Sequence, residues 1–402
     1  MTHLLKVSLN NTFIGTLTLL PGGRTFFAFD ETYQDLPNKP VLSQAFFHSS
    51  GELLTEEKIR AIRLPPFFSN LLPEGYMREY LAQRAGIKST QEFQLIDILG
   101  QDLPGAVIIT PMDGVSDNFI HRHEPKIKED DTLYHFSLAG VQLKFSAITK
   151  HRGGLTIPAH GVGGNWIVKL PAQNYAHVPE NEYAIMHLAS LIGIPVPEIK
   201  LVSLGDIDGL PDMGALAGKQ ALAIKRFDRT DNGERIHIED FAQVYNVYPE
   251  KKYEGVSFTN ISGMIWTLTG ETGLTDFIRR LTFTILTGNG DMHLKNWSFI
   301  YQDGRTPSLA PAYDLLSTIP YIPQDTLALK LGGTKDMQII GLEHFKKLIQ
   351  KAQIPEHLVL QTVQDTVNAT FTAWADNHRH YNLPDEIRGY IQQHMNKVAL
   401  KK

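Results

Sequence analysis

Asp291 and Asn296 stand five positions apart in Asn289-Gly290-Asp291-Met292-His293-Leu294-Lys295-Asn296-Trp297, a polar loop between an apolar helical pattern and a strand pattern. An acid followed at that interval by an amide is the spacing with which phosphotransferases set a catalytic carboxylate beside a magnesium ligand. A third oxygen donor follows in Ala312-Tyr313-Asp314-Leu315. Trp297 to Tyr301 reads as a strand, Asp303-Gly304 as its turn and Ser308 to Ala310 as the return, so the hairpin carries Asp314 back toward Asn296. Mg²⁺ takes hard oxygen ligands and bridges phosphate oxygens as charge develops, which makes Asp291, Asn296 and Asp314 a candidate phosphoryl-transfer set. Taken alone, the spacing is matched as well by ordinary turn residues, because Asp and Asn cap helices and tolerate left-handed backbone.

Other residues shift that balance. Lys169 lies mid-strand in Trp166-Ile167-Val168-Lys169-Leu170, where an ammonium is costly to bury unless a phosphate or carboxylate meets it. Glu182, opening the next helical pattern, is a natural partner and repeats the strand-lysine and helix-glutamate pair of kinases. Upstream, Ser137-Leu138-Ala139-Gly140-Val141-Gln142-Leu143-Lys144 lies between strands and can fold over phosphates, with backbone amides around Gly140, Val141 and Gln142 and the Lys144 ammonium as anion contacts. It is not a Walker A loop; the nearest match, Gly214 to Gln220, fails in spacing and in its last residue.

The elements that must position these residues fall into three regions. Residues 1–125 form an N-terminal module: short alternating runs from Leu4 to Phe29, broken at Asn10-Asn11 and Pro21-Gly22-Gly23, predict antiparallel strands. Thr55-Glu56-Glu57-Lys58 predicts the opening of one helix and Glu74 to Gly86 a second. Asp113 to Asp131 has the composition of a linker. Residues 126–228 read as a strand-rich lobe, with strands over Phe136 to Thr149, Gly154 to Pro158, Asn165 to Leu170 and Ala221 to Phe227, and a helix over Glu182 to Ile192. Residues 229–402 read as mostly helical, with Phe277, Leu281 and Ile285 on a helix that runs into the Asp291 loop.

A chain of 402 residues has room for two or three domains at roughly 100 to 200 residues each. With 42% hydrophobic and 20% charged residues it has an average globular composition, which excludes disordered, collagenous and coiled-coil classes. Lys plus Arg number 38 against 43 Asp plus Glu, so the net charge of -5 denies it the global basic excess of a stand-alone nucleic-acid binder. The absence of cysteine removes disulfides, thiolate zinc sites and cysteine nucleophiles, and suits a reducing compartment. The paired histidines at 121, 123, 378 and 380 sit in polar tracts and read as solvated. No run of about 18 apolar residues occurs, and the chain reads as a soluble cytoplasmic protein without membrane contact.

The ordered set of motifs resembles the HipA family of bacterial type II toxin-antitoxin serine/threonine kinases. The pieces are Asn70-Leu71-Leu72-Pro73, Ser137 to Lys144, Ile167-Val168-Lys169-Leu170-Pro171, Asn181-Glu182-Tyr183, Arg226-Phe227-Asp228-Arg229, Glu239-Asp240, Asp291-x-His293-x-Lys295-Asn296 and Tyr313-Asp314. The resemblance implies an α+β chain in which a β-rich N-terminal module packs on a two-lobed protein-kinase-like domain with a mostly helical C-terminal lobe. It makes Asp291 the catalytic acid, Asn296 and Asp314 the Mg²⁺ ligands, Lys169 the phosphate-binding lysine paired with Glu182, and His293 and Lys295 further nucleotide contacts. Arg226, Phe227 and Asp228 would form the hinge, where backbone groups meet adenine and Asp228 reaches the ribose. Ser137 would be autophosphorylated, a change of about -1.5 to -2 in charge beside the triphosphate, with Ser146 close by as an alternative. ATP and Mg²⁺ are the implied cofactors. The implied partners are a small helix-turn-helix antitoxin of HipB type, which would make most of the DNA contact, and a protein substrate of translation such as an aminoacyl-tRNA synthetase. A small-molecule phosphotransferase and a non-catalytic ATP-binding co-repressor are the alternatives. The sequence departs from the family at Leu143, Phe145, Lys225 and Met292, where Glu, Thr, Glu and Gly are common.

Overall fold

The computed structural model describes residues 2–56, 58–112, 144–149, 155–156, 164–210 and 216–401. The alternating runs at the start form strands β1 (His3–Leu9), β2 (Thr12–Leu19) and β3 (Arg24–Phe29). Asn10 and Asn11, at φ 45° and 66°, make the tight turn between the first two, as a two-residue hairpin loop requires. With β4 (Arg60–Ala61) and β5 (Val107–Pro111) they build an antiparallel sheet in the order β4-β3-β2-β1-β5. Helices α1 (Glu31–Gln34), α2 (Pro66–Leu71), α3 (Gly75–Arg84) and α4 (Glu92–Leu99) complete the module. Its core joins Val7, Leu9 and Leu17 of the sheet to Phe67, Phe68, Leu95 and Ile96 of the helices. No helix opens at Thr55. The chain there is extended, bridging Phe47 to Leu53 and then pairing β4 with β3, and helix begins only at Pro66. Cross-strand pairing on either side holds this stretch extended, and the Pro65-Pro66 pair sets the start of the next helix, since proline suits a first helical turn.

The next lobe holds β6 (Lys144–Thr149), β7 (Leu155–Thr156), β8 (Trp166–Lys169), helix α5 (Val178–Leu191), β9 (Ile199–Ser203), β10 (Ile207–Asp208) and β11 (Gln220–Lys225). The sheet order is β10-β7-β6-β8-β11-β9. Trp166 and Val168 pack with Ala221 and Ala223 on one face, whereas Leu222 and Ile224 join Ala184, Ile185 and Leu188 of α5 in the large core of the C-terminal lobe. Helix α5 starts at Val178, with Pro179 in its first turn, so Glu182 sits one turn inside the helix rather than at its opening.

In the C-terminal lobe, β12 (His237–Asp240) and α6 (Phe241–Val244) precede the long helix α7 (Phe258–Thr287). Ser257 caps α7 and Gly270 kinks it, at φ 64°. Its second half is buried at Phe277, Leu281 and Ile285 as the spacing predicts. Strands β13 (Ser298–Tyr301) and β14 (Ser308–Leu309) form the expected hairpin, and β12 pairs with β13 to complete a three-stranded sheet. Helices α8 (Leu342–Ala352), α9 (Glu356–Asn377) and α10 (Asp385–Lys397) close the lobe. The chain between β14 and α8 is irregular, as Pro311, Pro320 and Pro323 dictate, and helix resumes at Leu342. Among the described residues no helix is long and apolar enough to cross a membrane.

The N-terminal module is bolted to the C-terminal lobe by polar contacts. Gln44 N–H donates to Glu239 Oε1 at 3.0 Å, Tyr301 donates to the same carboxylate, and His237 Nε2 donates to the Leu42 carbonyl at 2.8 Å. Asn70 Nδ2 donates to the Val247 carbonyl at 2.7 Å and Gln243 Nε2 to the Phe67 carbonyl at 3.1 Å. Burial raises the Glu239 carboxyl from 4.5 to about 7, against the hydrogen bonds it accepts. The folded state therefore holds a proton on Glu239 that the unfolded chain releases, and the associated stability is lost as pH rises from about 4.5 through about 7. The thermal midpoint of the wild type should fall over that window, and Glu239→Gln should flatten the fall; parallel pH profiles would contradict this. At the C-terminus of α7, Gly288 has φ 73° and an added Cβ would lie 2.4 Å from Ile319 Cγ1. Gly288→Ala should cost about 2 kcal/mol, read from urea unfolding, and an unchanged midpoint would refute the tight turn.

Candidate active site

Sheet register sets Lys144 of β6 directly opposite Lys169 of β8. Two ammonium groups side by side on adjacent strands repel unless an anion lies between them. Asp314 supplies it: Lys144 Nζ donates to Oδ2 at 3.1 Å, and Lys169 donates to Oδ1. Lys169 is also bonded to Glu182, and the exposures of the Lys169 and Glu182 side chains are 4% and 1%. The strand lysine thus meets the helix glutamate that the sequence assigned to it. Burial opposes the charge on Asp314, but Lys144 and Lys169 outweigh it and hold the carboxyl far below the usual range. Glu182 goes the other way: burial raises it more than Lys169 lowers it, and the Asp314 charge adds to the rise. Asp314 itself has φ 55°, a left-handed backbone that Asp tolerates better than most residues.

The segment carrying Asp314 is stitched to the Asp291 loop. Asn289 Nδ2 donates to the Asp314 carbonyl at 3.1 Å, Gly290 N–H to Thr318 Oγ1 at 2.9 Å, and Thr318 N–H to the Gly288 carbonyl at 2.9 Å. Asn181, beside Glu182 on α5, brackets Ser317 by accepting from its N–H at 3.2 Å and donating to its carbonyl at 2.8 Å. Arg280 of α7 donates to the Ala310 carbonyl at 2.7 Å and fixes the end of the hairpin. Within the loop, Asn296 Nδ2 donates to the Asp291 carbonyl at 2.8 Å, which leaves its amide oxygen as the atom that could take a metal. Asp291 is exposed at the rim of the cleft, yet the surrounding protein raises its carboxyl above the ordinary range, partly offset by a hydrogen bond from Tyr253.

Among the described residues no three His, Asp or Glu side chains meet as a metal site. Mg²⁺ is commonly held by one or two protein oxygens, with water and substrate phosphates completing the octahedron. An ionised Asp314 and the Asn296 amide oxygen fit the requirement.

Other expected contacts are arranged differently. Lys295 turns away from Asp291, donating to the Asn70 carbonyl at 2.9 Å and lying 3.0 Å from Glu74, so it grips the N-terminal module. His293 is buried beside the Tyr253 ring and kept neutral, burial taking it from 6.5 to about 3; its Nδ1 has no partner among the described residues. Asp228 accepts from Arg226 at 2.9 and 2.8 Å, from Arg229 at 2.8 Å and from the Gly105 N–H at 2.8 Å. Its carboxylate and the Arg226 guanidinium thus clamp the hinge to the N-terminal module instead of standing free for a ribose. Phe227 lies 5.7 Å from the Tyr313 ring. Ser137, Gly140, Val141 and Gln142 lie outside the described residues, whereas Ser146 is in β6. Tyr253, Glu74 and Asn289 were not singled out by sequence, which offered only their closeness to polar loops and to the Asn70-Leu71-Leu72-Pro73 motif.

Comparison with known proteins agrees with this architecture. The HipA N-terminal domain profile matches residues 5–110 and the HipA-like C-terminal domain profile residues 136–374. A protein of Sinorhizobium fredii named as a candidate kinase, Y4dM, is 48% identical over 98% of this chain and 97% of its own. The serine/threonine-protein kinase toxin HipA of Shewanella oneidensis is 28% identical over 74% of this chain and 73% of its own. A solved Shewanella oneidensis structure described as a complex of HipA, HipB and operator DNA has the same fold, with a TM-score of 0.75 and 22% identity over 98% of this chain and 96% of that one. With both domains matched in order along one chain, the protein belongs to the HipA family.

Proposed function

We propose that the chain is an ATP- and Mg²⁺-dependent serine/threonine protein kinase acting as the toxin of a toxin-antitoxin pair. The observation that carries this reading is the convergence of Lys144 and Lys169 on Asp314, with Glu182 behind and the Asp291 to Asn296 loop alongside. Two lysines on neighbouring strands make a built anion site, and triphosphate oxygens suit it as well as a carboxylate does. When bound, ATP with Mg²⁺ supplies the transferable phosphoryl group and neutralises its charge. Lys169, steadied by Glu182, and Lys144 hold the phosphates; Asp314 and the Asn296 amide oxygen present the metal-binding atoms. Asp291 lies at the accessible rim, where an acceptor hydroxyl can enter, and its raised carboxyl makes it a better proton acceptor than an ordinary Asp.

The relatives guide the finer assignment. The Shewanella complex contains HipB and operator DNA, and we assign this chain a HipB-type helix-turn-helix partner that makes most of the DNA contact, in keeping with the net charge of -5. The substrate class is a protein of translation, such as an aminoacyl-tRNA synthetase, and Ser137 is the self-modification site. Intact-protein mass after incubation with ATP and Mg²⁺ should show added phosphate in the wild type. Asp291→Gln should lower transfer by about 10²- to 10⁴-fold without moving the thermal midpoint, while Asp314→Ala should lose Mg²⁺-dependent ATP binding. An Asp291→Gln protein as active as the wild type would overturn the mechanism.

A further inference from the structure

The Asp291 backbone is held on both sides. Its N–H donates to Asn289 Oδ1 at 3.0 Å, and its carbonyl accepts from Asn296 Nδ2 and from the His293 N–H, each at 2.8 Å. Its carboxylate has one side-chain hydrogen bond among the described residues: the Tyr253 hydroxyl donates to Oδ1 at 2.6 Å. Tyr253 belongs to the Lys251-Lys252-Tyr253-Glu254 turn before α7, and that turn is anchored from two directions. On the catalytic side, Leu294 N–H donates to the Lys252 carbonyl at 3.2 Å, and the Tyr253 ring stands edge-on to His293 with centroids 5.0 Å apart. On the other side, Lys252 Nζ donates to Glu74 Oε2 at 2.9 Å, and Glu74 belongs to the N-terminal module. Glu74 also binds Lys295 at 3.0 Å, so one carboxylate of the module ties the Tyr253 turn to the catalytic loop. Burial opposes the Glu74 charge, but Lys295 and Lys252 bring its carboxyl down to about 2, so it stays ionised at neutral pH.

An exposed Asp side chain rotates freely, and a proton acceptor misplaced by an ångström loses much of its effect. A phenol fixed by its own ring contacts removes that freedom through one short, charge-assisted bond. We propose that Tyr253 is the positioning residue of the Asp291 carboxylate, holding Oδ1 so that Oδ2 is presented to the acceptor hydroxyl, and that Glu74 makes the N-terminal module part of this assembly through Lys252. The proposal rests on the protein-kinase reading above. Tyr253 takes no covalent part in the transfer; the acceptor proton goes to Asp291.

The test is Tyr253→Phe, which removes only the hydroxyl. Its kcat for phosphoryl transfer should fall about 10- to 100-fold, while the ATP dissociation constant stays within about twofold and the thermal midpoint within about 2 °C. Glu74→Gln should show the same split with a smaller fall, and the double variant should be no slower than Tyr253→Phe alone, because both act through one bond. If Tyr253→Phe does not fold, Glu74→Gln, which keeps the phenol, decides the matter on the same readouts. A kcat within about twofold of wild type, a loss of kcat matched by equal losses of ATP affinity and midpoint, or phosphate mapped to Tyr253 itself would each overturn the proposal. An active wild type with an unimpaired variant removes this inference alone, whereas a wild type that phosphorylates neither itself nor any protein removes the kinase reading and this inference with it.

Discussion

Two lysines placed on the same rung of a sheet dictate much of what surrounds them. Lys144 and Lys169 are register partners on β6 and β8, and Lys169 is almost wholly buried. Such a pair is stable only with anions in contact. The fold brings two, Glu182 from α5 and Asp314 from beyond the β13–β14 hairpin. Meeting that demand fixes where α5 must lie against the sheet and where the hairpin must return. It also places Asp314 in a left-handed conformation at the cleft.

The Asp291 loop is gripped from below and from the side. Below it, α7 is buried to its last turn and ends in Gly288, from which Asn289, Gly290 and Thr318 lace the loop to the Asp314 segment. From the side, the N-terminal module reaches Lys295 through Asn70 and Glu74, and reaches the hinge through Gly105 and Asp228. These are buried or half-buried charge contacts, for which loss of one partner is far more damaging than at an exposed surface. The module is therefore mechanically continuous with both ends of the cleft.

What the sequence revealed follows from the range of each interaction. Lys169 was legible because a lysine in an apolar strand is a local anomaly, and Asp314 because a short hairpin returns the chain by a fixed distance. The α7 helix and its exit into the Asp291 loop were legible from spacing alone. Tyr253 was not: its partner lies 38 residues away, and nothing in Lys251-Lys252-Tyr253-Glu254 departs from an ordinary surface turn. Glu74 was not legible for the same reason, since Lys252 lies 178 residues off, outside the N-terminal module. No helix forms at Thr55 because the capping pattern there is local, whereas the pairing of β4 with β3, which holds the chain extended, is not.

The central claim is that the lysine pair is a triphosphate site completed by a metal on Asp314. Calorimetric titration of ATP into the protein, with and without Mg²⁺, tests it most directly, with Lys169→Met titrated alongside. The account predicts saturable binding that Mg²⁺ strengthens and that Lys169→Met weakens by at least about tenfold, the loss of one charge-assisted contact. ATP affinity indifferent to both Mg²⁺ and Lys169 would contradict it.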